Sequence, residues 1–298
     1  MKTDYKELFQ PQIINSVSGL ALIARAIVDG FLSGSHQSRR VGPGQEFSQY
    51  RGYQPGDDMR LLDWKMLARS GRYYIKESDI DTQVNVKFIV DSSASMLHEE
   101  AGLQKIDFVK VLVASLAYLS HNQGDMVGLY ALNSSGLRSV YPAAHNKHYN
   151  RILHELIGIK VGGEWPKNLN DLEKIHQRTQ KELLFVITDM HEAGTELTRW
   201  IQNLKTSRNE VVVLHVLGEN ELEFNYSGAL VFEDLETGKK VKVEAKNARK
   251  EYLKLMETNL EELKNDFLSK NISYELFRLH NTMEEALQLF LKKRMALR

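Results

Sequence analysis

The chain has 298 residues, enough for one large core or for one core with a smaller appendage. Lys plus Arg equals Asp plus Glu at 39 each, so no global field draws it toward nucleic acid or anionic lipid. It has no cysteine, which excludes disulfides, thiolate metal ligands and a cysteine nucleophile, and fits a reducing compartment. The opening "MKTDYKELFQPQIINSVSG" lacks the charged-then-apolar plan of a signal peptide. No apolar run reaches the roughly 20 residues a membrane-spanning helix needs, since "GLALIARAIVDGFL" is broken by Arg25 and Asp29. These readings predict a cytoplasmic protein without a membrane span.

Ile13, Val17, Leu20, Ala24, Ile27 and Phe31 recur at steps of three and four, which predicts a helix with one apolar stripe, ending near Gly30 and Gly34. Residues 38–80 are polar and punctuated by glycine. Pro55-Gly56-Asp57-Asp58 predicts a turn into a short helix around 59–70, and "GRYYIKE" predicts a strand. Within this segment Arg51, Asp57, Arg60, Asp63 and Arg69 are expected to pair with one another, and Trp64 is expected to anchor packing.

From Val84 the pattern alternates between strand and helix. Strands are predicted at 84–90, 126–132, 183–188, 210–217 and 272–279; helices at 103–122, 149–157, 169–180, 196–208, 248–268 and 282–293. Continuous apolar strands such as "ELLFVITD" and "EVVVLHVL" predict a mostly parallel sheet covered by helices on both faces. "GLRSVYPA" is expected to form an antiparallel edge strand. "ALVFEDLETGKKVKVEA" predicts a hairpin that turns at 236–239. The chain thus divides into an N-terminal segment, 1–82, packed on a main α/β domain, 83–298, with a hairpin insertion at 223–246.

Two predicted strands end in aspartate. Asp91 follows Val90, and Asp189 follows Thr188. In an open parallel sheet ligands gather at the carboxyl ends of strands. With Ser93 and Ser95 on the loop after Asp91, these residues form an all-oxygen set that suits Mg²⁺, or else Mn²⁺ or Ca²⁺. Helix capping also uses serine and aspartate, but a cap needs one such residue rather than three at alternate positions.

Asp91-Ser92-Ser93-Ala94-Ser95 resembles the Asp-x-Ser-x-Ser loop of von Willebrand factor A domains, and Asp189 in "VITD" matches the later aspartate of their metal-ion-dependent adhesion site. That pattern carries a metal-binding threonine on a middle loop. Here Gly162-Gly163 is followed by Glu164, a possible third acid, with Asn168 or Asn170 as alternative oxygen donors. The upstream segment "GPGQEFSQYRGYQPGDDMRLLDWKMLARSGRYYIKE" resembles the signature of the bacterial domain-of-unknown-function family fifty-eight. Gly44, Glu46, Phe47, Arg51, Tyr53, Pro55, Gly56, Asp57, Arg60, Asp63, Trp64, Ala68 and Arg69 fall on it. The resemblance implies a three-layer von Willebrand A fold and a non-enzymatic interaction module. It implies a metal site of Asp91, Ser93, Ser95 and Asp189, to which Glu164, in the place of the pattern's threonine, is added as an expected ligand, and a MoxR-type AAA+ ATPase as partner, engaged through an acidic side chain.

The chain has no Gly-x₄-Gly-Lys-Ser/Thr loop, so any ATP hydrolysis belongs to that partner. Two other readings stay open. One is an Mg²⁺-dependent phosphatase with Asp91 as nucleophile, although Ser93 stands where such sites place a second acid. The other is a metal-independent scaffold.

Overall fold

The computed structural model describes residues 9–35, 47–55, 57, 59, 62–78, 83–145, 147–166, 175, 181–191, 195–279 and 282–297. The expected helix at 169–180 therefore lies outside the described residues apart from Ile175. So do Gly44, Glu46, Gly56, Arg60, Asn168 and Asn170.

In chain order the elements begin with α1 (Pro11–Ile14), α2 (Val17–Ser35), β1 (Phe47–Gly52), α3 (Trp64–Ser70) and β2 (Tyr74–Ser78). The sheet begins with β3 (Asn85–Asp91), followed by two short strands, β4 (Glu99–Glu100) and β5 (Leu103–Gln104). Next come α4 (Lys105–Asn122), β6 (Met126–Asn133), β7 (Gly136–Ala143), α5 (His148–Ile157), β8 (Glu182–Thr188), α6 (Glu196–Leu204) and β9 (Asn209–Leu217). The chain closes with α7 (Glu219–Glu223), β10 (Ala229–Glu233), β11 (Lys240–Glu244), α8 (Ala245–Ser269), β12 (Ser273–Arg278) and α9 (Glu284–Ala296).

Two compact units result, one of residues 1–32 with 84–297 and one of 33–83. In the smaller unit, β1 and β2 pair antiparallel. Asp63 caps α3, its carboxylate accepting from the Lys65 and Met66 amides at 2.9 and 3.0 Å. Gly71 ends that helix in the left-handed region, φ 67°. Arg51 pairs with Asp57 at 2.9 Å, as the sequence predicted. Trp64 is 61% exposed, which corrects its expected role: it starts α3 but anchors no core.

The larger unit is built on a six-stranded sheet in the order β12-β9-β8-β3-β6-β7. All neighbours are parallel except β7, which returns antiparallel along β6 as the edge strand the sequence predicted. Alternation along the strands feeds two cores. Val86, Phe88 and Val90 of β3, with Leu183, Phe185 and Ile187 of β8, face a core that also holds buried side chains of α2, α4, α5 and α9. Ile89, Leu184 and Val186 face the opposite core with Leu197, Trp200 and Ile201 of α6 and Phe267 of α8. A sheet buried on both faces explains why these strands read as unbroken apolar runs.

Buried ion pairs brace the sheet away from the β3 tip. Arg294 of α9 holds Asp125, at the start of β6, through two bonds of 2.6 and 3.0 Å. Lys87 pairs with Glu182 between β3 and β8 and also donates to the Ile175 carbonyl at 2.6 Å. At the edge, the buried His148 ring donates from Nε2 to the Val127 carbonyl at 2.6 Å, which leaves Nδ1 buried without a partner among the described residues.

A proton on that nitrogen has nowhere to go, and burial holds the His148 pKa below its ordinary value. A base depressed in the fold contributes stability that is present above the unfolded pKa, about 6.5, and lost as pH falls, because the unfolded chain takes the proton first. Urea melts of the wild type should therefore show stability falling below about pH 6.5, and His148→Gln should make that decline shallower.

Candidate functional site

The site forms where the strand order turns. β6 lies on one side of β3 and β8 on the other, so the chain leaves the central strand in one direction and resumes on its far side. Such switch points open a crevice at the carboxyl ends of the strands. Asp91 is the last residue of β3, and Asp189 directly follows β8. Both are buried, at 2% and 5% exposure.

The loop after Asp91 folds back on it. The Ser93 amide donates to Asp91 Oδ1 at 2.9 Å, and Thr188 Oγ1 donates to Asp91 Oδ2 at 2.7 Å. Ser95 Oγ donates to Asp189 Oδ1 at 3.1 Å, and Ser93 Oγ lies 2.9 Å from Ser95 Oγ. Since the Ser95 proton is committed to Asp189, the shared proton of the serine pair comes from Ser93. Asp91, Ser93, Ser95 and Asp189, all predicted from sequence, are thus brought into one hydrogen-bonded chain.

The middle loop reaches the same place through its backbone. The Ala94 amide donates to the Gly163 carbonyl at 2.8 Å, and the Gly162 amide to the Ser92 carbonyl at 3.0 Å. Gly163 has φ 71°, and a Cβ there would stand 2.2 Å from Ser134 Oγ, so the close approach requires glycine. Glu164 is held by main-chain bonds to Ser134, its amide donating to Oγ at 3.2 Å and its carbonyl accepting at 2.7 Å. Among the described residues no three Asp, Glu, His or Cys side chains stand together as a metal-holding group, so Glu164 does not join Asp91 and Asp189 as a third acid.

Other side chains complete the site, and sequence reasoning passed over them. Lys105, 1% exposed at the start of α4, donates from Nζ to Asp189 Oδ2 at 2.9 Å and to Glu221 Oε1 at 2.8 Å. Burial works against its charge, but Asp189 and Glu221 prevail and its pKa is raised. Asp189, opposed by burial and favoured by Lys105, is held below the usual carboxylate range. Glu221 is itself fixed by the Gly218 amide at 2.7 Å. His215 of β9 donates from Nε2 to the Asp189 carbonyl at 2.9 Å and so accepts at Nδ1 from the Tyr274 hydroxyl at 2.6 Å. Burial pushes its pKa down to about 4, and the ring is neutral.

Two signals for these residues were in the sequence. A lysine opening a helix runs against the helix dipole, and a histidine inside "VVVLHVL" is a polar residue in a buried strand.

Asp91 differs from Asp189. Among the described residues no cationic side chain pairs with it; its partners are the neutral Ser93 amide and Thr188 hydroxyl. Burial, then the charge of Asp189, pushes its pKa up to about 7. Asp91 is therefore a desolvated acid whose ionised form the site's own lysine does not neutralise.

The hairpin of β10 and β11 also arrives here. Asp234 organises its turn, accepting from the Glu236 and Thr237 amides at 2.9 and 3.2 Å and from Thr237 Oγ1 at 2.6 Å. Asp234 Oδ1 lies 3.9 Å from Nε2 of His191, two residues beyond Asp189. Glu236 Oε1 is buried, with no hydrogen-bond partner among the described residues. Burial raises the Glu236 pKa; His191 and the hydroxyls of Ser95 and Ser93 oppose that rise. The Glu236 carboxylate therefore feels both serine hydroxyls of the Asp91 loop. Asp91, Ser93, Ser95 and Asp189 together offer hard oxygen donors around an aspartate that no cationic side chain among the described residues neutralises, a set that suits Mg²⁺, Mn²⁺ or Ca²⁺.

A mostly parallel sheet in this order, sandwiched by helices and carrying an Asp-x-Ser-x-Ser loop at the tip of its central strand, defines a von Willebrand A-like domain. The chain belongs to the family described as protein of unknown function DUF58, whose model matches residues 49–262. An uncharacterised protein of Mycobacterium tuberculosis is 26% identical over 239 residues, covering 78% of this chain and 74% of that one. Among solved structures, the conserved hypothetical protein BatB from Bacteroides thetaiotaomicron is 13% identical, with TM-score 0.47, covering 72% of this chain and 99% of that one. The SpRpn10 von Willebrand A domain is 10% identical, with TM-score 0.41, covering 70% and 95%.

Thr188 links the two acidic strands, donating to Asp91 and accepting from the Met190 amide at 2.9 Å. Thr188→Val keeps its shape and strips both bonds. It should cost about 1–3 kcal/mol in urea denaturation of the metal-free protein.

Proposed function

We propose that this protein is a non-enzymatic interaction module whose strand-tip face uses a bound divalent cation to engage an acidic side chain of a partner. The observation that carries the reading is Asp91, buried, without a cationic partner among the described residues, and pushed up to about 7 beside Asp189. Asp91, Ser93, Ser95 and Asp189 would hold the ion, with Mg²⁺ the first choice for hard oxygen donors. Glu164 borders that set through its loop and is left out of it. The cation's part is to neutralise the two carboxylates and present positive charge outward; Thr188, Lys105 and His215 keep the acids in place.

The family resemblance makes a MoxR-type AAA+ ATPase the partner, and a cytoplasmic location belongs to the same proposal. Among the described residues no helix is long and apolar enough to cross a membrane. The phosphatase reading gains no general acid: the residue two beyond Asp91 is Ser93, whose hydroxyl faces Ser95.

Calorimetric titration with Mg²⁺ should give saturable binding that Asp91→Ala weakens at least about tenfold. Lys105→Met, which removes a competing positive charge beside Asp189, should tighten it by about tenfold or more. A purified MoxR-type ATPase should bind the wild type in Mg²⁺ and release it in EDTA. Capture of that ATPase unaffected by EDTA and by Asp91→Ala would favour the metal-independent scaffold.

A further inference from the structure

We infer that the smaller unit carries a docking face for an acidic segment of a partner protein. The exposed rings of Trp64 and Tyr73 anchor that segment, and Lys65, Arg69 and Arg72 meet its carboxylates. The face uses no residue of the strand-tip site and stands apart from the cation reading.

Local geometry brings these side chains out together. A helix turns about 100° per residue, so Trp64, Lys65 and Arg69 of α3 fall within an arc of about 140°. All three are exposed, whereas Met66 and Leu67, on the other side of the helix, are half-buried. Gly71 ends the helix, and the chain returns through Arg72 and Tyr73, both exposed. The antiparallel bridge of Leu62 with Ile75 is extended by the Asp63 amide, which donates to the Tyr74 carbonyl at 2.9 Å. That register sets position 64 beside position 73. The Tyr73 ring in turn lies 6.2 Å from the ring of Tyr53.

Two properties separate this face from an ordinary surface. Its apolar exposure is concentrated: Trp64 is 61% exposed, Tyr73 57%, and Met59, just before the helix, 61%. Large apolar side chains scattered singly in water need no explanation, but a group of them rimmed by charge marks an interaction site. The charge is also one-sided. Asp57 is taken by Arg51 at 2.9 Å and by the Gln54 amide at 2.8 Å, and Asp63 accepts from the amides of its own helix. Among the described residues no carboxylate pairs with Lys65, Arg69 or Arg72. Trp, Tyr and Arg together are the composition of interface hot spots.

The charge selects the occupant. Unpaired cations around an apolar centre complement an acidic segment that brings apolar side chains of its own. Nucleic acid fits less well: these cations fall short of the roughly 6–10 phosphate contacts of a strong binder, and the chain's net charge is zero. A membrane surface also fits less well, because α3 turns one large apolar side chain outward rather than a whole apolar face.

Fluorescence of the full chain tests this. Of its 3 tryptophans, Trp165 and Trp200 are 6% and 7% exposed, so acrylamide quenching reports on Trp64. A peptide alternating glutamate with leucine and phenylalanine should shift the emission to the blue, protect it from acrylamide, and bind more weakly as salt rises. Tyr73→Ala, which keeps the reporter, should weaken that binding about tenfold, and so should Trp64→Ala followed by calorimetry. Arg69→Gln with Arg72→Gln should weaken it similarly and flatten the salt dependence. These side chains are exposed, so each variant should melt as the wild type does. EDTA and Asp91→Ala should leave the affinity unchanged.

No protection by the acidic peptide would overturn the proposal. Equal binding of a peptide with serine in place of its apolar residues would reduce the face to charge alone and also overturn it. Oligothymidine or phosphatidylglycerol vesicles that protect Trp64 more strongly than the peptide would overturn the protein partner. Binding abolished by EDTA or by Asp91→Ala would assign the peptide to the strand tip and leave this face without a role.

Discussion

Two carboxylates held out of water at adjoining strand tips set the terms for everything around them. Asp91 and Asp189 repel one another, and neither has solvent to screen it. The chain answers Asp189 with a buried ammonium, Lys105, and braces that ammonium with Glu221. It answers Asp91 with neutral donors alone. The imbalance separates the two acids, one held ionised and the other pushed toward protonation. Replacing the pair with apolar side chains would remove the repulsion.

The fold makes that arrangement affordable. Asp91 and Asp189 leave neighbouring strands, β3 and β8, at the point where the sheet order reverses, so their loops diverge and open a crevice between them. Apolar cores on both faces hold the strands in register, and the buried Arg294–Asp125 and Lys87–Glu182 pairs brace them away from the site. Rigidity there lets the tip keep like charges together. The hairpin, by contrast, carries an exposed apolar surface and touches the site through its turn.

Much of this was legible in the sequence because the signals are local. The continuous apolar runs of β8 and β9 named a doubly covered sheet, and the Asp-x-Ser-x-Ser loop placed three oxygen donors within five residues. The antiparallel edge strand and the hairpin turn near Thr237 also followed from short-range pattern. Glu164 was expected as a third acid because it follows paired glycines; the structure holds its backbone against Ser134, and it stands apart from the Asp91–Asp189 pair. Trp64 was expected to pack because it is large and apolar, yet it lies on the exposed start of a short helix.

By itself, then, the sequence determined which strands end in acid, which residues flank them and that helices cover both sides, since periodicity and turn chemistry act over a few residues. Only the tertiary structure decided the charge state of the site. Lys105 meets Asp189 across 84 positions and Glu221 across 116, and Thr188 meets Asp91 across 97. Nor does any local pattern bring Asp234 from the hairpin turn to His191. Pairings of that span are selected by the packing of whole elements, and a one-dimensional pattern carries no record of which surfaces will meet.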